Sequence, residues 1–159
     1  MLDGFIKAAA VTPKIRVADC VYNTKQICRE MELAEANGAK IIVFPELCLT
    51  GYTCSDLFWQ ELLLSEAKKG LHQILFLSKG KDALIFVGLP WEKDGKLYNV
   101  AAAISNGRLL GVVPKRFLPN YSEFYEARHF TPGNEKPEMA EFEGQQVPFG
   151  SKLLFNCPE

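Results

Sequence analysis

The segment "AKIIVFPELCLTGY" (residues 39–52) decides how this chain folds. Residues 40–44 form a short, continuously apolar run, the pattern of a strand covered on both faces. Immediately beyond the strand's tip stands a carboxylate, Glu46. Open α/β sheets place their ligand crevices at the carboxyl ends of their strands, and a partly desolvated acid there suits a general base. The plainer reading of the same position is a solvated loop acid that accepts a backbone N–H.

Upstream, residues 5–11 read as a strand ended by Thr12 and Pro13. Asn23 or Thr24 can cap a helix, Ile27, Met31 and Ala34 recur at helical spacing, and Gly38 suits the position just past the helix end. Strand, helix and strand in this order make a βαβ opening. Downstream, Asp56 caps a helical stretch reaching residue 78. Phe58, Leu62, Leu63, Ala67, Leu71 and either Ile74 or Leu75 form its apolar stripe, and Gly70 interrupts its propensity.

The middle of the chain reads as a strand meander. Residues 83–91, 96–105 and 107–115 are extended, and "KDGK" and "SNGR" join them. Asp-Gly and Asn-Gly favour tight hairpin turns because both turn residues need positive φ. The third strand runs into "VVPKRFLPNY" (residues 112–121), which carries Lys115 at its tip. A lysine there can stabilise negative charge developing on a tetrahedral oxyanion, although a solvated surface lysine has the same sequence appearance. An aromatic-rich irregular stretch follows, and residues 152–157, "KLLFNC", look like one more buried strand. The pattern is α and β packed on mixed sheets.

At 159 residues, with 48% hydrophobic and 23% charged residues, the chain has the size and composition of one globular domain. Its formal charge of −1 comes from 18 basic and 19 acidic residues without a long charge run. Nothing therefore points to nucleic acid or an anionic membrane. No apolar stretch reaches the ~20 residues of a membrane helix. The first residues lack the basic-then-apolar order of a secretory signal, so the expected location is cytoplasmic.

The five cysteines, Cys20, Cys28, Cys48, Cys54 and Cys157, include no C-x-x-C pair and form neither a disulfide framework nor a zinc pattern. Without a secretory signal, the sequon at Asn120 is taken as chance. His72 and His129 are isolated, and no metal site is expected. A glutamate base and an oxyanion-binding lysine call for a nucleophile, and cysteine is the natural third member. Cys20 and Cys28 read as small hydrophobes of the first helix. Cys48 is too close in sequence to Glu46 to turn toward it, Cys54 lies in a loop, and Cys157 ends the last apolar run.

Together, "AKIIVFPELCLTGY" and "VVPKRFLPNYSEFYEARHFTPG" resemble the nitrilase (carbon–nitrogen hydrolase) superfamily. "GYTCSDLF" and "LPNYSEFYE" are similar, within it, to the glutaminase domain of glutamine-dependent NAD synthetases. The resemblance spans nearly the whole chain. It implies a four-layer αββα sandwich, incomplete in this chain. It makes residues 1–159 the N-terminal part of such a domain, with the rest of the domain and an ATP-dependent synthetase domain lying outside them.

By that resemblance Glu46 is the general base, Lys115 the oxyanion-stabilising lysine, and Glu126 a second carboxylate that positions the lysine or the substrate. Tyr121 contacts bound glutamine and Tyr52 lines the pocket. The family's nucleophilic cysteine is followed by acidic residues, in a segment like "ICED". Cys157 is followed by Pro158 and Glu159, so the nucleophile is expected beyond Glu159 and the 159 residues alone are expected to be inactive. The implied reaction is hydrolysis of the glutamine amide to supply ammonia for amidation of deamido-NAD. It needs no cofactor at the glutaminase site, whereas ATP and magnesium belong to the synthetase domain. A homo-oligomer is expected. A stand-alone amidase or carbamoylase and a non-catalytic nitrilase-like module are the alternatives.

Overall fold

In a computed structural model, residues 4–156 are described. Their elements are β1 (Ala8–Ala10), α1 (Cys20–Ala36), β2 (Ile41–Val43), a 3₁₀ turn (Ser55–Trp59), α2 (Glu61–Leu77), β3 (Leu84–Lys93), β4 (Lys96–Ser105), β5 (Arg108–Pro114), α3 (Glu126–His129), β6 (Glu138–Phe142) and β7 (Gln145–Phe149). The strands form one seven-stranded sheet in the order β1-β2-β3-β4-β5-β7-β6. Strands β1, β2 and β3 are parallel, β3, β4 and β5 run antiparallel in turn, β7 is parallel to β5, and β6 is antiparallel to β7.

The mixed sheet follows from local chemistry. Both predicted tight turns are present: Asp94-Gly95 has φ of 53° and 69°, and Asn106-Gly107 has 47° and 75°, the left-handed geometry of two-residue hairpins. One face of the sheet carries the apolar core. Ile42, Ile85, Val87, Leu89, Ala102, Ile104 and Val112 are buried there with Ile27 and Met31 of α1 and Leu71 and Ile74 of α2. These residues are one cluster, so helices and sheet make two packed layers of the sandwich. On the opposite face Ala8 and Ala10 are exposed and Val43 is 42% exposed.

Several boundaries differ from the sequence reading. Helix α1 begins at Cys20, and its cap is Asp19, whose carboxylate accepts from Tyr22 N at 2.9 Å. Asn23 and Thr24 instead lie inside the helix and are buried. Thr24 donates back to Cys20 O at 2.7 Å, while Asn23 bridges the backbone of Arg16 and Leu49. Both polar side chains are thus satisfied without capping anything. Asp56 caps no helix: it lies inside the short 3₁₀ turn, which begins at Ser55. Gln60, extended at ψ 122°, separates that turn from α2 and stands at the N-cap of α2. Gly70 is required rather than tolerated, because a Cβ there would sit 2.4 Å from Thr24 Oγ1 of α1.

The tail departs further from the expected strand. Residues 152–156 are not a strand: Leu154 is 98% exposed, and Phe155 lays its ring edge-on to Phe86 at 5.8 Å. Their alternation of half-buried and exposed side chains imitates a strand, but no described strand pairs with them. The sheet instead gains the β6–β7 hairpin, which turns at Glu143-Gly144 with φ of 50° and 77°. Cys157 and the segment after it lie outside the described residues.

Candidate active site

Strand direction brings the candidate residues together. Because β2 and β3 are parallel and two antiparallel steps lead from β3 to β5, the carboxyl ends of β2 and β5 open at the same edge of the sheet. Glu46 follows β2, and Lys115 is the residue after β5. The first half of β4 lies at this edge too, with Asn99 opposite Pro90 near the end of β3.

The Glu46 elbow is a tight turn. Leu47 is fully buried with φ of 50°, a left-handed conformation that costs a non-glycine residue energy and is held by its surroundings. Gly51 N bonds Leu47 O at 2.7 Å, and Leu49 N bonds Gly88 O of β3 at 3.2 Å. Asn23 Nδ2 donates to Leu49 O from α1. The turn lies directly on Gly88, where a Cβ would meet Leu47 N at 2.4 Å and Pro45 O at 2.5 Å. Only glycine leaves room for this crossing.

Lys115 is fixed through its backbone: its N–H donates to Asn99 O at 2.7 Å, and its carbonyl accepts from Gly133 N at 2.9 Å. The loop between these points returns along the sheet end, with Thr131 N on Leu97 O. That return places Glu126, the first residue of α3, beneath the lysine.

The resulting cluster contains Glu46, Lys115 and Glu126. Lys115 Nζ donates to Glu46 Oε1 at 2.7 Å and to Glu126 Oε1 at 2.8 Å. Glu126 is 4% exposed, and Tyr52 OH donates to its Oε1 at 2.7 Å. Burial alone would lower the Lys115 pKa, but the two carboxylates outweigh it and raise the pKa above the ordinary lysine value. The lysine is therefore a permanent cation at neutral pH, held between two acids. Burial, followed by the bond to Glu126, pushes the Tyr52 phenol up in pKa, so it stays a donor.

Tyr121 is not part of this hydrogen-bonded group; it is 67% exposed and packs edge-on to Phe124 at 5.6 Å. His72 pairs with Glu143 at 2.7 Å on an exposed surface. His129 stacks on Phe58 at 5.7 Å with its Nδ1 buried and unpartnered. The sequence reading missed Asn99, a buried residue whose side-chain amide donates to Glu46 Oε1. A mid-strand asparagine carries no local motif; only the β3–β4 register reveals it.

The four described cysteines are buried thiols. Burial pushes Cys20 and Cys48 up to about 12 and Cys28 up to about 11, and it raises Cys54 as well. Their hydrogen bonds go to backbone carbonyls: Cys48 Sγ reaches Gly88 O at 3.5 Å, and Cys54 Sγ reaches Thr50 O at 3.1 Å. None has the electropositive, accessible surroundings that make a reactive thiolate. Among the described residues no three His, Cys, Asp or Glu gather as a metal site, and no helix is long and apolar enough to cross a membrane.

Residues 7–156 match the model of the carbon–nitrogen hydrolase family. The glutamine-dependent NAD(+) synthetase of Mycobacterium bovis is 36% identical over 152 residues, covering 96% of this chain and 22% of that protein. The enzyme of the same name from Aquifex aeolicus is 40% identical over 133 residues, covering 84% of this chain and 23% of its own length. The chain thus spans about a fifth of the length of these curated relatives. A crystal structure of a glutamine-dependent NAD(+) synthetase from Cytophaga hutchinsonii superposes with a TM-score of 0.90 at 29% identity, covering 96% of this chain and 26% of that one. The chain belongs to the carbon–nitrogen hydrolase family.

Proposed function

We propose that this chain builds the amide-hydrolysing site of a glutamine-dependent NAD synthetase, with Glu46 as general base, Lys115 as oxyanion-stabilising cation and Glu126 as the acid that holds the lysine. The observation that carries the reading is the doubly bridged lysine: one ammonium within 2.8 Å of two carboxylates at the sheet edge. The named relatives supply the substrate class, glutamine.

In this reading Glu46 takes the proton of a cysteine thiol, and the thiolate attacks the glutamine side-chain carbon. Lys115 neutralises the oxyanion that forms. The proton returns from Glu46 to the departing nitrogen, ammonia leaves, and Glu46 then activates the water that opens the glutamyl thioester. Tyr52 holds Glu126, and Tyr121, which stands exposed beside the cluster, contacts the glutamine. The nucleophile comes from beyond Glu159, a reading supported by the burial of the four described thiols and by the sequence after Cys157, which puts Pro158 where an acidic residue follows the family's nucleophile. The ammonia passes to an ATP- and magnesium-dependent synthetase domain of the same cytoplasmic, homo-oligomeric polypeptide.

The test is ammonia release from glutamine by the natural gene product that contains residues 1–159. Release is expected, and Glu46→Gln should reduce it by roughly 10²–10⁴-fold. No release, or release indifferent to Glu46→Gln, overturns the reading. Faster turnover of another small amide than of glutamine would assign a stand-alone amidase instead.

A further inference from the structure

We propose that Asn99 is a positioning residue for Glu46: its side-chain amide shares Glu46 Oε1 with Lys115 and so leaves Oε2 as the proton-accepting atom. The inference deepens the amide-hydrolase reading and rests on it for the identity of the proton donor.

Glu46 Oε1 receives two donors, Lys115 Nζ from the end of β5 and Asn99 Nδ2 from β4. Its other oxygen, Oε2, takes no hydrogen bond from the described residues. A carboxylate tethered through one oxygen from two directions cannot spin about its terminal torsion, so the open oxygen keeps one heading. Lysine alone does not achieve this. It is a single point donor on a flexible stem and is already shared with Glu126. The amide comes from the opposite kind of support: Asn99 is 3% exposed and sits mid-strand between β3 and β5.

The same residue also fixes the lysine, since its backbone carbonyl accepts Lys115 N at 2.7 Å. Asn99 therefore sets the spacing between base and cation from one rigid strand position. Being neutral, it does so without altering the charge of the cluster. The charged and titratable groups facing Glu46 are Lys115, Glu126 behind the lysine, and Tyr52 behind Glu126. A second cation in place of Asn99 would suppress the basicity of Glu46, and a second acid would repel it.

The first test needs no glutamine turnover. In the natural gene product that contains residues 1–159, the ¹³C carboxyl resonance of Glu46, assigned with Glu46→Gln, is followed against pH. Losing a hydrogen bond to the ionised form should raise the Glu46 midpoint by about one unit in Asn99→Ala. Asn99→Asp, nearly the same shape, should raise it further through like charge. Should Asn99→Ala fail to fold, the wild-type chain decides: the Asn99 side-chain ¹⁵N resonance must follow the Glu46 midpoint and must lie flat in Glu46→Gln. An unmoved Glu46 midpoint in the folded variants, or a flat Asn99 amide in the wild type, overturns the proposal. In the natural gene product, the acid limb of the kcat/KM profile for glutamine should move up with the same variants, a change that a purely structural residue would not produce. Absent turnover there sinks the amide-hydrolase reading while leaving the titration result standing.

Discussion

Lys115 Nζ stands 2.7 Å from Glu46 Oε1 across 69 residues of sequence. Strand polarity makes the contact possible. Two residues each placed just past a strand meet only if their strands point the same way, and the two hairpins between β3 and β5 ensure that they do. The meander is therefore part of the site, although none of its turn residues touches it.

Removing the lysine should cost more than removing either acid. Lys115→Met leaves Glu126, 4% exposed, without its cation and facing Glu46. Stranding a buried charge costs about 3–5 kcal/mol. Glu126→Gln keeps a side chain of the same shape and leaves Lys115 paired with Glu46, so its loss should be smaller. Denaturant unfolding of both variants measures the difference. Equal stability would show that Glu126 does not depend on the lysine.

The pH dependence of that difference has a definite sign. The folded-state pKa of Lys115 lies above its ordinary value, so its stabilising contribution is complete below about 10.4 and is lost only as pH rises through the higher folded value. The stability gap between wild type and Lys115→Met should thus stay level from pH 7 to about 10. A gap that shrinks across this interval would mean the lysine is not held by its acids.

Much of this arrangement was legible in the sequence, for local reasons. Glu46 and Lys115 each follow an apolar run, and Asp94-Gly95 and Asn106-Gly107 announce their hairpins because few other pairs accept positive φ twice. Elements whose cause lies elsewhere in the chain were hidden. Asn23 looks like a helix cap, yet it is spent on the backbone of Arg16 and Leu49, a tertiary demand. Residues 152–156 carry an apolar run like that of a buried strand without pairing as one. Asn99 acquires meaning only once β4 is registered against β3. The Tyr52–Glu126 bond joins residues 74 apart and has no signature in either neighbourhood.

The buried thiols give a chemical prediction. With Cys20 and Cys48 pushed to about 12 and Cys28 to about 11, thiolate is scarce at neutral pH and alkylation requires unfolding. Peptide mapping after brief iodoacetamide treatment at pH 7.5 should find Cys20, Cys28, Cys48 and Cys54 unmodified in the native chain and modified in guanidinium. Rapid native labelling at Cys48 would contradict the packing of the Glu46 elbow on β3.

His129 should make the fold acid-sensitive. Burial, reinforced by the neighbouring Arg128, lowers its pKa below the usual histidine value, and its Nδ1 is buried without a partner. The unfolded chain then binds a proton that the folded chain refuses, so stability is full above about pH 6.5 and falls as the pH drops below it. His129→Phe retains an aromatic ring against Phe58 and Phe130 and cannot titrate. Melting temperatures from pH 7.5 to 5 should therefore fall more steeply for wild type than for this variant, and parallel slopes would rule out His129 as the cause.

Gly88 tests whether the elbow and the site are one unit. A methyl group at residue 88 would press on Leu47 N and Pro45 O, both backbone atoms that cannot swing aside. The turn carrying Glu46 must then lift from β3, breaking the bond from Leu49 N to Gly88 O. Overpacking of this kind costs about 1–3 kcal/mol. Because the sheet below the elbow is unchanged, Gly88→Ala should fold, melt at lower temperature, and hold Glu46 away from Lys115. The clearest readout is a double-mutant comparison. In the wild type, Glu46→Gln weakens the bridge to Lys115 and lowers stability. In the Gly88→Ala background that bridge is already stretched, so the same substitution should cost measurably less. Equal costs in the two backgrounds would show that the elbow can move without moving the carboxylate.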